Sequence, residues 1–128
     1  MADDKYLPNV KDSLRQDGWT VKEKTLSLTD GEYIFLIDIE AEKEGRKIAV
    51  EVKSWLNNFS QDFYAALGQY TTYWTALKRA KLDYDLYLAV TEDIYRKHFN
   101  KSIFAQIVKK NSVKIVIFDT NNTIVSWK

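Results

Sequence analysis

In the stretch Ile48-Ala49-Val50-Glu51-Val52-Lys53-Ser54, Ile48, Val50 and Val52 occupy every second position, with Glu51 and Lys53 between them. A β-strand sends alternate side chains to opposite faces, so one face suits a core and the other is available for chemistry. The run Ile34 to Glu40 has the same alternation, with Phe35, Ile37 and Ile39 on one side and Leu36, Asp38 and Glu40 on the other. Only Ala41 to Lys47 separates the two runs. In a two-residue hairpin the paired numbers sum to a constant, so a tight turn centred on Glu44-Gly45 predicts Asp38 opposite Glu51, Ile37 opposite Val52, Ile39 opposite Val50 and Ala41 opposite Ile48. The aliphatics then gather on the buried face, leaving Asp38, Glu51 and, diagonally, Lys53 on the other. A slip of one residue would turn one strand's aliphatics to the wrong side.

Two carboxylates facing each other across a strand pair are about 5 Å apart. They repel by roughly 3 kcal/mol at an effective dielectric of about 20, and by about 1 kcal/mol in water. Lys53 can offset part of this, and a divalent ion more. Carboxylate oxygens, a backbone carbonyl and water suit Mg²⁺, which keeps several waters and takes few protein ligands. The plain alternative is that Asp38, Glu51 and Lys53 form the wet face of an amphipathic hairpin, as in any half-exposed antiparallel sheet.

With 128 residues, 45% of them hydrophobic, the chain can bury one sizeable core, and a single domain over residues 1–128 is expected. Four Gly, one Pro and no fixed-period repeat leave no place for a linker or a solenoid. Cys is absent, which removes disulfides, thiolate nucleophiles and Cys-ligated zinc. Met1-Ala2-Asp3-Asp4-Lys5 lacks the pattern of a signal peptide and no apolar run reaches membrane-span length, so a cytoplasmic protein without membrane contact is expected. A net charge of +1 makes no strong electrostatic case for nucleic acid. Arg79 and Lys81, with Arg96, Lys97, Lys101, Lys109, Lys110 and Lys114, could still form a basic flank or be dispersed surface cations.

Along the chain, Tyr6 or Leu7, Val10 and Leu14 predict a first helix between Asp4 and Gln16, stopped by Asp17-Gly18 and starting nearer Leu7 because Pro8 belongs in a first turn. Trp19 to Leu28 reads as a strand, Asp30-Gly31 as a hairpin turn, and the Tyr33 and Glu51 strands complete an antiparallel meander. Asn57, Asn58 or Ser60 can cap a helix to about Ala80, with a core stripe of Phe63, Leu67, Tyr70, Trp74 and Leu77 and with Gln69 and Tyr73 on a flank rich in Ala. Tyr84 to Val90, apolar almost throughout, predicts a strand covered on both faces and joined to the Glu51 strand by a parallel crossover. Short helices over Glu92 to Phe99 and Ile103 to Lys110 precede a closing hairpin around Asn121-Asn122. His98, the only histidine, reads as a surface or helix-end residue.

An acid on the second strand, Glu51-Val52-Lys53 on the third, and the order α-β-β-β-α-β resemble the PD-(D/E)XK nuclease superfamily. Gln69-x-x-x-Tyr73 is similar to the motif of its RecB-type branch, while Ile37 stands where the signature proline would. Nearly the whole chain also resembles the XisH family, the fdxN-element excision-controlling factors, through Lys11, Asp17-Gly18-Trp19, Ile48 to Glu51 with Lys53-Ser54, Ala66-Leu67-Gly68-Gln69, Leu86 to Val90 and Trp127-Lys128. These resemblances imply a restriction-endonuclease-like α/β fold, a mixed central sheet flanked by helices with C-terminal helices and a hairpin appended. They imply a factor controlling excision of a DNA element, acting beside a site-specific recombinase and a XisI-like protein, as a Mg²⁺- or Mn²⁺-dependent DNA endonuclease. Carried onto this sequence, Asp38, Glu51 and the carbonyl of Val52 would hold the ion, Lys53 would orient water or stabilise charge on the phosphate, and Gln69 would position Lys53 or the water. Tyr73 would contact the nucleic-acid backbone or brace Gln69, and Asp4 or Asp12 could add a carboxylate. Trp55 and Phe59, expected exposed, could stack on bases or seal a subunit contact in a homo-oligomer. The other reading is a non-catalytic accessory subunit that keeps the fold and binds a XisI-like partner, DNA, or both.

Overall fold

The computed structural model describes residues 5–55, 58–100 and 102–128. The chain runs α1 (Leu7–Gln16), β1 (Thr20–Val21), β2 (Leu26–Asp30), β3 (Tyr33–Ile37), β4 (Ile39–Lys43), β5 (Arg46–Val52), α2 (Phe59–Arg79), β6 (Asp85–Thr91), α3 (Glu92–His98), α4 (Ile103–Lys110), β7 (Ile115–Asp119) and β8 (Thr123–Trp127). Six strands form one mixed sheet in the order β1-β4-β5-β6-β7-β8, parallel from β5 to β7 and antiparallel at both sides. β2 and β3 pair with each other as a separate hairpin.

The predicted register holds where β4 meets β5, with Ile39 opposite Val50 and Ala41 opposite Ile48. The three-strand meander does not. The Trp19–Leu28 run is interrupted at the exposed residues Lys22, Glu23, Lys24 and Thr25, and the Ile34–Glu40 run breaks at Asp38. Asp38 ends β3 because its side chain, rather than a strand carbonyl, accepts the Val52 N–H at 2.9 Å. That break separates Ile37 from Ile39, which the alternation placed on one face: Ile37 packs on the α2 side of the sheet and Ile39 on the α1 side.

Each face of the sheet has its own core. Leu7, Val10 and Leu14 of α1 pack with Ile48, Val50, Val52, Ala89, Val116 and Phe118. Phe63, Ala66, Tyr70 and Leu77 of α2 pack with Ala49, Leu86, Leu88, Val90, Ile115 and Ile117. Fully burying each large aliphatic or aromatic side chain contributes about 1.5–3 kcal/mol, so both layers are strongly held. Pro8 sits in the first turn of α1, where its missing N–H costs nothing, and Gly18 leaves the helix at φ +93°. A Cβ on Gly18 would meet Lys43 Cε at 3.2 Å, and Lys43 also donates to the Asp17 carbonyl and lies 5.9 Å from the Trp19 ring centre. The Asp17-Gly18-Trp19 triplet thus docks the end of α1 on the end of β4.

Asn58 caps α2, its side chain accepting the Gln61 N–H at 3.1 Å, while the other candidate Asn57 lies outside the described residues. The buried stripe of α2 is Phe63, Ala66, Tyr70, Ala76 and Leu77, and it corrects the predicted one: Leu67 is only partly buried and Trp74 is 49% exposed. Ala66 and Ala76 take the sheet-facing positions because a small side chain lets the helix backbone approach the strands. The Tyr70 hydroxyl donates to the Leu86 carbonyl at 2.9 Å and accepts the Lys114 N–H at 3.1 Å, so one side chain ties α2 to both β6 and the start of β7. Among the described residues no helix is long and apolar enough to cross a membrane.

Candidate active site

Glu51 stands on β5 between Val50 and Val52, which point into the α1-side core, so its own side chain is on the α2 side. The face that a half-exposed amphipathic hairpin would leave wet is therefore covered at Glu51. The crossover from β5 to β6 carries α2 over it, and Glu51 is left only 7% exposed. Asp38, at the β3–β4 break, is partly buried beside it. Two bonds lock the pair: the Asp38 N–H donates to Glu51 Oε1 at 3.3 Å, and the Val52 N–H donates to Asp38 Oδ2 at 2.9 Å. Lys53 continues the strand, its N–H donating to the Ala89 carbonyl, and places its ammonium 3.9 Å from Glu51 Oε2.

Burial pushes the Glu51 carboxyl up to about 8, and the neighbouring Asp38 charge adds to the rise. The Asp38 N–H and the Lys53 charge oppose it without cancelling it. A carboxyl buried beside a second carboxylate in this way favours its protonated form. On α2, Tyr73 is half-buried; desolvation, then the charges of Glu51 and Asp38, push its phenol up to about 12. It stays a neutral hydrogen-bond donor at any physiological pH, with its ring edge-on to Phe35 at 6.4 Å. One turn earlier, Gln69 Oε1 is buried with no hydrogen-bond partner among the described residues. A buried amide oxygen without a donor costs about 1–3 kcal/mol, which a bound water or cation would recover.

Asp38, Glu51 and Lys53 are thus brought together as predicted, with Tyr73 within electrostatic reach and Gln69 one helical turn from Tyr73. The donor set is hard oxygen: two carboxylates, with the Val52 carbonyl next in the strand. Among the described residues no group of three or more acidic or histidine side chains forms a denser cage. Mg²⁺ fits such a sparse set, because it binds through one or two carboxylates and keeps its waters.

Other sequence expectations fall away. Trp55 is 6% exposed, not a surface platform: at φ +58° the chain turns it into a box of aromatics with Phe59 at 5.1 Å and Phe99 at 5.7 Å. Phe59 is itself partly buried there, stacked on His98 at 3.7 Å at the end of α3. The local sequence shows only that Trp55 follows a strand; the covering residues come from α2 to α4. Asp12 is exposed and paired with Arg15 at 3.1 Å on α1, across the sheet from Glu51, and Asp4 lies outside the described residues. Of the basic flank, Arg79, Arg96 and Lys114 are ion-paired to Asp30, Asp93 and Asp85, and Lys101 lies outside the described residues. The link from the Asp38 carboxylate to the Val52 N–H lies outside what strand alternation predicts; its signal in the sequence is an acid interrupting an aliphatic run.

The protein-family model described as XisH protein matches residues 1–126. A crystal structure of an XisH family protein from Nostoc punctiforme superposes with a TM-score of 0.90 at 36% identity, covering 95% of this chain and 97% of that one. A fdxN element excision controlling factor protein from Anabaena variabilis superposes with a TM-score of 0.90 at 35% identity, covering 95% and 96%. No curated protein matches the sequence. Matched along almost its full length in both sequence and fold, the chain belongs to the XisH family.

Proposed function

We propose that this XisH family chain is a metal-dependent DNA endonuclease of restriction-endonuclease-like, PD-(D/E)XK type, acting in the excision of a DNA element. The observation that carries the reading is the buried Glu51 beside the partly buried Asp38, cross-linked through the Asp38 and Val52 N–H groups, with the Lys53 ammonium 3.9 Å from Glu51. An ordinary sheet surface leaves such charges in water. Asp38, Glu51 and the Val52 carbonyl would hold Mg²⁺ or Mn²⁺, whose chemistry when bound is to polarise a phosphodiester and lower the pKa of an attacking water. Lys53 stabilises charge developing on the phosphate and helps aim the water. Gln69 Oε1, which has no donor among the described residues, accepts a hydrogen from that water or from Lys53. Tyr73, held neutral, donates to a backbone phosphate oxygen. The DNA, a XisI-like protein and a recombinase are the partners this role requires.

A net charge of +1 and the ion-paired Arg79, Arg96 and Lys114 favour one second reading, an accessory subunit that binds through a partner without cutting. A nicking assay on supercoiled, linear and branched DNA with Mg²⁺ or Mn²⁺ decides between them. Wild type is expected to nick, and Lys53→Ala to lose nicking while melting like wild type. No cutting of any DNA form with either metal, with and without a XisI-like protein, would leave the accessory reading.

A further inference from the structure

Residues directly opposite each other in an antiparallel pair share a face. The pairs Leu28↔Phe35 and Asp30↔Tyr33 therefore turn toward α2, while Thr29 and Ile34 turn away. Leu28 fills the core, and toward the hairpin turn the two elements enclose a cleft of about 350 Å³. Tyr33 and Phe35 line it from the hairpin; Thr71, Thr72 and Thr75 line it from α2. Arg79 joins the two walls by gripping Asp30 with two bonds, at 2.5 and 3.1 Å.

The cleft has a definite chemistry. Among the described residues that line it, the Arg79 cation and the Asp30 anion neutralise each other, so the lining does not select for a charged ligand. The Thr72 and Thr75 hydroxyls donate to the helix carbonyls of Gly68 and Thr71 at 2.8 Å, which leaves their oxygens as acceptors. Tyr33 and Phe35 are same-face neighbours on one strand, about 7 Å apart, twice the roughly 3.4 Å spacing of stacked bases. A flat, uncharged ring with donors on its edge matches this lining. Phe35 also packs against Tyr73, which lies within electrostatic reach of Asp38 and Glu51, so the cleft adjoins the candidate active site.

We propose that the cleft between β3 and α2 is a nucleobase subsite, which takes an unpaired base of the strand whose phosphate reaches Asp38, Glu51 and Lys53. This rests on the nuclease reading above and deepens it by naming the substrate class: a base inside a duplex is already stacked on its neighbours, so the subsite selects single-stranded, frayed or branched DNA.

The test uses a fluorescent single-stranded DNA of ~12 nucleotides, within the length one binding groove covers, beside the same strand with abasic positions, both in EDTA. Tyr33 is 63% exposed, so Tyr33→Ala removes the platform without opening a core. Wild type is expected to bind the intact strand more tightly than the abasic one, Tyr33→Ala to lose about five- to hundredfold in affinity, and Tyr33→Trp to retain it. Equal binding of the two strands, equal binding by Tyr33→Ala, or no binding by wild type overturns the subsite. Cleavage is scored separately. Nicking by wild type with a KM indifferent to Tyr33 removes the subsite and leaves the nuclease; Tyr33-dependent base binding without nicking removes hydrolysis and leaves the subsite.

Discussion

Replacing Glu51 by Gln tests the site through stability alone. In the folded chain the carboxyl titrates at about 8, raised from 4.5 by burial and by Asp38. Between those two values the folded state holds a proton that the unfolded chain has released. Stability is therefore fully present below about pH 4.5 and is lost as pH rises toward 8. At about 1.36 kcal/mol per pH unit the loss is roughly 3 kcal/mol by pH 7 and on the order of 5 kcal/mol across the window. For a domain of this length, a loss of that size at pH 7 lowers Tm by on the order of 10 °C. Gln keeps an oxygen for the Asp38 N–H and carries no charge to desolvate, so Glu51→Gln should not show this fall. Thermal melts by circular dichroism in EDTA from pH 5 to 8 should show the two proteins close together at pH 5 and diverging steadily, with the variant the more stable. Mg²⁺ at pH 8 should recover the wild type, by taking the place of the proton, and leave the variant unmoved. A gap that stays flat with pH would show that Glu51 is not held in a desolvated, charge-opposed position and would refute the metal site at Asp38 and Glu51.

Two further outcomes test the parts that hold the site in place. Trp55→Ala should cost about 3–5 kcal/mol in urea unfolding because it leaves a cavity against Phe59 and Phe99, whereas an exposed base-stacking residue could be removed at almost no cost. Tyr70→Phe should cost about 1–3 kcal/mol by leaving the Leu86 carbonyl and the Lys114 N–H without their shared partner, and faster amide exchange at Lys114 would locate the loss.

Local pattern determined much of this protein. The alternation of Ile48, Val50 and Val52, the turn at Glu44-Gly45 and the cluster of possible caps at Asn57, Asn58 and Ser60 mark strand, register and the neighbourhood of the helix start, because each is set by neighbours within a few residues, while the apolar run through β6 with the helix before it points to the parallel crossover. The pairing of Asp38 with Glu51 was legible for the same reason, since hairpin register is simple counting. Burial was not. Whether Glu51 faces water depends on α2 crossing above it, and whether Trp55 is a platform or a core residue depends on Phe59, Phe99 and the helices that carry them. The break at Asp38, which sends Ile37 and Ile39 into different cores, arises from a side chain meeting a backbone N–H fourteen residues away. Within an unbroken strand or helix, periodicity reports which residues share a face. Only the packed layers decide what covers it, and hence where an acid becomes reluctant to ionise.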